Sequence, residues 1–177
     1  MCSAFHSPAV NAVIDTPRLK LRPTRRQDAR RVAELAAHFD VARMTVRIPH
    51  PYTDEQAQGF ITRMGEPGRF AIEHAQDGLV GVLGFHDTDR FGAPELGYWL
   101  GRPYWGQGLA TEAVSAALVW ARDEWGRKVV RAGHFADNDA SANVLIKSDF
   151  LYTGEVVEKP SLARGGVAPT RMMVWLA

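Results

Sequence analysis

The sequence has a single cysteine, Cys2, which excludes an internal disulfide, fits a reducing compartment and reads as an incidental thiol of an N-terminal tail. It has no apolar run near the roughly 20 residues that span a bilayer. No secretory h-region precedes Arg18 either, so the expectation is a cytoplasmic chain with no membrane attachment. Charge of one sign is lacking too: 21 Lys and Arg stand against 20 Asp and Glu, a net +1, so no bulk field draws in nucleic acid or an anionic membrane. An anionic ligand must be caught locally. The basic cluster "RRQDARR", residues 25–31, scatters around one short helix and reads as a solvated face.

Several site chemistries are missing as well. The six histidines, at 6, 38, 50, 74, 86 and 134, show no two-His helical spacing with a carboxylate, so no metal is expected. No Gly-x-Ser-x-Gly elbow occurs, and no Gly-Lys-Ser or Gly-Lys-Thr closes a glycine turn as a P-loop requires. Tryptophans 99, 105, 120, 125 and 175 read as core and corner packing rather than platforms for bases.

What is present suits one folded domain. With 177 residues, 46% of them hydrophobic and 23% charged, the chain reads as a single domain over residues 14–177 behind a flexible tail, residues 1–13. "PRLKLRP", residues 17–23, alternates like a half-buried strand. Thr24 with Gln27 and Thr53 with Gln56 have capping-box spacing. The first helix then shows Ala29, Val32, Ala33 and Ala36 on one face, the second Phe60, Ile61 and Met64, with an irregular segment, residues 40–52, between them. Asp77 and Gly78 offer a hairpin turn between "RFAIEH" and "LVGVLGFHD". "ELGYWL", residues 95–100, is the fourth strand, and residues 110–124 form a helix stopped at Gly126. A strand "VVRAGHF", a short helix from near Asn138, and strands "YTGEVV" and "TRMMVWL" around a loop, residues 159–169, complete a mixed α/β (α+β) order.

One corner stands out: "GRPYWGQGLATEA", residues 101–113, where a strand meets a helix through Gly106 and Gly108. A dinucleotide fingerprint needs Gly or Ala at its third position, where this chain has Thr111. The general property of such corners remains: glycines allow close approach, and free N–H groups at a helix start bind an anion with help from the helix dipole. By itself a Gly-x-Gly turn also fits a ligand-free bend.

"ELGYWLGRPYWGQGLATEA" closely resembles the strand-four to helix-three segment of the GNAT superfamily of acetyl-CoA-dependent N-acetyltransferases, above all its Rim-type branch of ribosomal-protein alanine acetyltransferases. "NDASANVLIKSDF", residues 138–150, resembles that branch's second signature, and "IDTPRLKLRP" its first strand. The resemblance implies a central mixed sheet of about seven strands, splayed between the fourth and fifth, flanked by about four helices, with acetyl-CoA in the splay. It implies a cofactor-binding set of Trp99, Leu100, Gly101, Trp105, Gly106, Gln107, Gly108, Leu109, Ala110, Thr111, Asn138, Ser141 and Lys147. The amides of residues 105–110 would hold the pyrophosphate and residues 99–101 would run beside the pantetheine arm.

Two sequence departures bear on this reading. Pro103 stands where much of the superfamily has Gln or Arg, and Ser148 and Asp149 replace a hydrophobic-Gly pair before Phe150. Aspartate tolerates left-handed geometry, so a helix stop at Asp149 is expected. For catalysis the reading takes Glu95 as general base and Ser141 as the group hydrogen-bonded to the departing sulfur, since the tyrosine common in the family is replaced by Leu145. Asn138 and Ser141 also suit plain N-capping, Glu112 a structural role at the helix start, and Tyr98 and Tyr104 packing. The acceptor is a primary amine, with a peptide or protein N-terminus ahead of polyamines or aminoglycosides, and Arg43, Arg47 and Arg164 available for an anionic group on it. Homodimers are common in the branch, although the sequence shows no decisive interface. The alternative is an acyl-CoA-binding or sensing module without turnover.

Overall fold

Alternation shapes the second strand: Leu19 and Leu21 are buried and Lys20 is exposed, but Arg22, at an end where a charge should reach water, is buried as well. The computed structural model describes residues 12–86 and 92–177. Its strands are β1 (Ile14–Asp15), β2 (Leu19–Arg22), β3 (Arg69–His74), β4 (Gly78–His86), β5 (Glu95–Leu100), β6 (Val129–Phe135), β7 (Leu151–Ser161) and β8 (Gly166–Leu176). The helices are α1 (Asp28–Ala36), α2 (Phe39–Ala42), α3 (Asp54–Arg63), α4 (Leu109–Asp123) and α5 (Asp139–Lys147). Cys2 and most of the expected tail lie outside the described residues.

All strands join one sheet in the order β1-β2-β3-β4-β5-β6-β8-β7. The expected seven become eight because Ile14 and Asp15 fold back to pair with Leu21 and Lys20. The expected four helices become five because residues 39–42, at the edge of the irregular segment, make the one-turn α2 with His38 as its cap. β4 is buried along its whole interior because helices cover both faces of the sheet. On one face α4 and α5 pack onto Phe70, Ile72, Leu96 and Leu100; on the other α1 and α3 pack onto Ala71 and Leu79. Among the described residues no helix is long and apolar enough to cross a membrane.

Local signals behave unequally. Thr53 and Gln56 form both halves of the capping box of α3. Thr24 and Gln27 do not: the Thr24 hydroxyl has no partner, Gln27 is helical without a side-chain cap, and the Arg25 amide donates to Asp28 instead. The cause is Arg22, whose guanidinium forks onto both Asp28 oxygens at 2.8 and 2.9 Å and also pairs with Glu73. Burial opposes its charge, yet the bond to Asp28 outweighs that and raises the Arg22 pKa. Asp149 takes the left-handed conformation, φ 64°, and the Phe150 amide closes α5 onto Leu145. The expected loop at residues 159–169 is mostly strand: β7 and β8 pair from Lys159 opposite Ala168 to Ser161 opposite Gly166, leaving a short 3-10 turn at Leu162–Arg164. Pro160 is tolerated there because on an edge strand its missing N–H costs nothing.

Asp28→Ala leaves the buried Arg22 with Glu73 as its one carboxylate partner and should cost about 3 kcal/mol in urea unfolding. A loss under about 1 kcal/mol would show that Glu73 suffices.

Candidate active site

Parallel neighbours β5 and β6 pair at just two positions, Glu95 with Arg131 and Leu96 with Ala132, and then part. β5 continues beside β4 as far as Leu100, and the Gly101 amide donates to Val80. Alternation of antiparallel hydrogen bonds then turns the amides of Trp99 and Gly101 toward β4 and those of Tyr98 and Leu100 toward the gap. So Tyr98 and Leu100, rather than residues 99–101 as a block, offer main-chain groups there. The gap opens into a cleft of about 1290 Å³.

At one end of the cleft lies the glycine corner. Gly106 and Gly108 both have positive φ, 75° and 77°, and α4 starts directly after. The amides of Gly106, Gln107, Gly108, Leu109, Ala110 and Thr111 have no acceptor among the described residues. Six neighbouring donors on a helix start form a strong anion cradle. The indole of Trp105 donates to the Leu100 carbonyl at 2.8 Å and ties the corner to β5. Trp99, Leu100, Trp105, Gly106, Gly108, Leu109, Ala110, Thr111, Asn138, Ser141 and Lys147 line the cleft, as does Glu95. Gly101 and Gln107 do not: Gly101 packs against Leu35, and Gln107 folds back so that Nε2 donates to the Pro103 carbonyl.

On the α4–α5 face, Asn138 Oδ1 accepts the Ser141 amide at 3.0 Å, an N-cap in geometry. The Ser141 hydroxyl lies 2.9 Å from the phenol of Tyr98, which burial pushes well above the usual tyrosine pKa. Tyr98 is therefore more than packing: it brings a protonated phenol from β5 to the serine of α5. On the opposite face Glu95 forms an ion pair with Lys159 of β7, which reaches across the mouth of the gap. His86 stands beside Glu95 in register, and its pKa is lowered by burial and by the charges of Arg69 and Arg47. It is a neutral imidazole at neutral pH.

Of the three arginines expected for the acceptor, two are spent elsewhere. Arg164 forks onto Asp137 at 2.9 and 3.0 Å and donates to the Arg43 carbonyl, and Arg43 pairs with Asp40. Arg47 has no ion-pair partner among the described residues and stays exposed on the cleft. The sequence reading also passed over His86, Lys159 and Arg18. Arg18 grips Glu112 at 2.7 Å and the Gln107 carbonyl at 2.9 Å, which makes Glu112 the structural carboxylate expected at the helix start. No local pattern marks any of these three, because each acts on a residue distant in sequence.

A sheet parted between parallel strands over a glycine corner defines the acyl-CoA transferase architecture of the GNAT type, and the sequence comparison agrees: residues 18–151 match the acetyltransferase (GNAT) domain. The chain belongs to the GNAT acetyltransferase family. Among its relatives, the uncharacterized N-acetyltransferase YoaA of Bacillus subtilis (strain 168) is 29% identical over 150 residues, 80% of this chain and 84% of that protein. Two solved structures show the same fold at low identity. A GNAT-family acetyltransferase from Bacillus anthracis has a TM-score of 0.82 at 21% identity, over 93% of this chain and 98% of that one. A ribosomal-protein-S5-alanine acetyltransferase from Vibrio fischeri has a TM-score of 0.78 at 17% identity, over 94% and 97%.

Burial disfavours the charge of Glu112, but hydrogen bonds from Thr16 and from the Arg18 amide and guanidinium prevail and hold its pKa below the usual value. A depressed carboxylate stabilises fully above its unfolded pKa of about 4.3 and loses that contribution as pH falls through the lower folded value. Glu112→Gln should therefore cost about 1–2 kcal/mol at pH 7, with the gap to wild type closing below about pH 4 in urea titrations. A gap independent of pH would assign the loss to shape rather than charge.

Proposed function

We propose that this acetyltransferase moves the acetyl group of acetyl-CoA onto a primary amine by direct attack on the thioester, and that a peptide or protein N-terminus is the favoured acceptor. The observation that carries the reading is the row of unbonded amides at residues 106–111, opening onto the parted strands. A diphosphate needs converging donors and no side chains in the way, which this corner supplies. The pantetheine arm carries amides of its own and suits the main-chain groups that Tyr98 turns into the gap. That the Vibrio fischeri neighbour is named for a ribosomal-protein alanine supports an N-terminal acceptor.

The residues divide the work by face. The amine forms the new C–N bond as the C–S bond breaks, and Glu95, directly or through a water, takes the amine's proton. Taking it turns the Glu95–Lys159 ion pair into a hydrogen bond. The Leu100 amide faces the gap and is the donor for the oxyanion. Ser141, oriented by the Tyr98 phenol, donates a hydrogen bond to the departing thiolate, which takes its proton from water. Asn138 caps α5 and so sets where Ser141 stands.

Acetyl-CoA at about a hundred times its Kd should stabilise the fold by roughly 2.7 kcal/mol in a thermal melt. No shift, together with no heat of binding in calorimetry, would defeat the reading. Thiol release over a panel of N-terminal peptides, N-blocked lysine peptides and small amines then identifies the acceptor. Binding without release on any amine would favour a sensing module.

With the acceptor known, Glu95→Gln should bind acetyl-CoA normally and lose about 10²- to 10⁴-fold in turnover near neutral pH. Part of the rate should return as pH rises and the amine deprotonates in solution. Wild-type turnover across pH 6 to 9 would remove Glu95 from the role of base.

A further inference from the structure

The glycine corner has no steric preference of its own, since Gly106 and Gly108 lack the side chains that would fix which way their peptide planes face. Something outside the corner must select the plane that presents the amides. Arg18 does this at the Gln107 carbonyl, to which its Nη1 donates at 2.9 Å. The Gln107–Gly108 peptide is trans, so its carbonyl and the Gly108 N–H point in opposite directions. Gln107 lies off the cleft and Gly108 lines it, hence a carbonyl drawn to Arg18 turns the Gly108 N–H into the cleft.

Arg18 is itself fixed. Its Nε and Nη2 both reach Glu112 Oε2 at 2.7 Å, while the Arg18 amide and the Thr16 hydroxyl donate to Glu112 Oε1 at 2.9 and 2.7 Å. Glu112 is well covered, 15% exposed, and belongs to the first turn of α4, so the anchor rides on the helix that carries the cradle. With its charge met by Glu112, Arg18 is suited to orient the corner rather than to pair with a phosphate.

We propose that Arg18, locked by Glu112 and Thr16, is a positioning residue for the coenzyme's pyrophosphate: it holds the Gln107 carbonyl so that the Gly108 amide faces the anion. The proposal rests on the acetyl-CoA reading above. It adds a dependence of pyrophosphate affinity on a side chain from the turn between β1 and β2, 89 residues away from Gln107.

The test is calorimetric titration of wild type, Arg18→Met and Arg18→Lys with coenzyme A, dephospho-coenzyme A and pantetheine. Arg18→Met should weaken both nucleotide ligands by the same factor, about tenfold, and leave pantetheine unchanged. Arg18→Lys keeps a cation against Glu112 but lacks the planar fork that serves Glu112 and Gln107 together, so it should remain folded, with a smaller stability loss than Arg18→Met, and bind like Arg18→Met. It carries the test should Arg18→Met not fold. In turnover with an amine from the panel, KM for acetyl-CoA should rise about tenfold at unchanged kcat. Equal weakening of pantetheine would mean general structural support, and unchanged coenzyme A affinity would mean no role; either overturns the proposal. A loss confined to coenzyme A and absent with dephospho-coenzyme A would overturn it in favour of a direct contact to the 3′-phosphate. A wild type that binds none of the three sinks the acetyl-CoA reading itself, whereas this proposal fails alone when wild-type binding is intact.

Discussion

The parting of β5 from β6 after two paired positions is the constraint on which the site depends. Main-chain donors and acceptors left inside a fold are costly unless they find partners, so a sheet does not open without a reason. Here each lip of the gap is secured from behind. β5 is held along its length by β4, and β6 is held by β8 from Val129 to Phe135, so neither strand needs the other for its stability. The gap is a fixed feature of two well-supported half-sheets rather than a defect between loose edges. A ligand that brings its own amides can complete the ladder there, which a purely apolar guest cannot do.

Strand alternation then assigns chemistry to faces. Leu96, Tyr98 and Leu100 send their side chains toward α4 and α5, and the phenol in this row meets Ser141. Glu95 and Trp99 turn the other way, toward α1 and α3, and Glu95 meets Lys159 and the neighbourhood of His86. A carboxylate and a phenol-backed hydroxyl on opposite faces of one gap fit the proposed transfer, in which the amine enters on one side and the thiolate leaves on the other. The alternation that builds the core thus also keeps the two groups from neutralising each other.

What could be read in the sequence was local. The Thr53–Gln56 cap, the Asp77–Gly78 turn, the glycine corner and the left-handed stop at Asp149 each depend on residues within a few positions, and each is present as expected. Readings failed where a distant partner outbid a local pattern. The Thr24–Gln27 cap lost to the Asp28 carboxylate, which is committed to Arg22 and closes the turn through the Arg25 amide. The loop expected at residues 159–169 is mostly hairpin because β7 and β8 keep pairing up to Ser161 opposite Gly166. Arg164 was counted as free for an acceptor but is bound to Asp137, 27 residues away. The Tyr98–Ser141 and Arg18–Glu112 contacts span 43 and 94 residues, and no periodicity carries such information. Both became visible once the fold was known.

The charges around the cleft bear on which amine it suits. Glu95 faces Lys159, Glu66 faces Arg69, Asp137 faces Arg164 and Asp40 faces Arg43, so most charge near the acceptor side is already matched in pairs. Such a wall exerts little long-range pull on a polycation, which argues against acceptors recognised chiefly by charge. Recognition must then come from shape and from the reacting amine itself. An N-terminal amine, with a pKa near 8, is partly neutral at physiological pH, whereas a lysine amine near 10.4 is almost wholly protonated. A single carboxylate facing a lysine is asked for less by the first than by the second, and this physical ground supports the N-terminal acceptor proposed above.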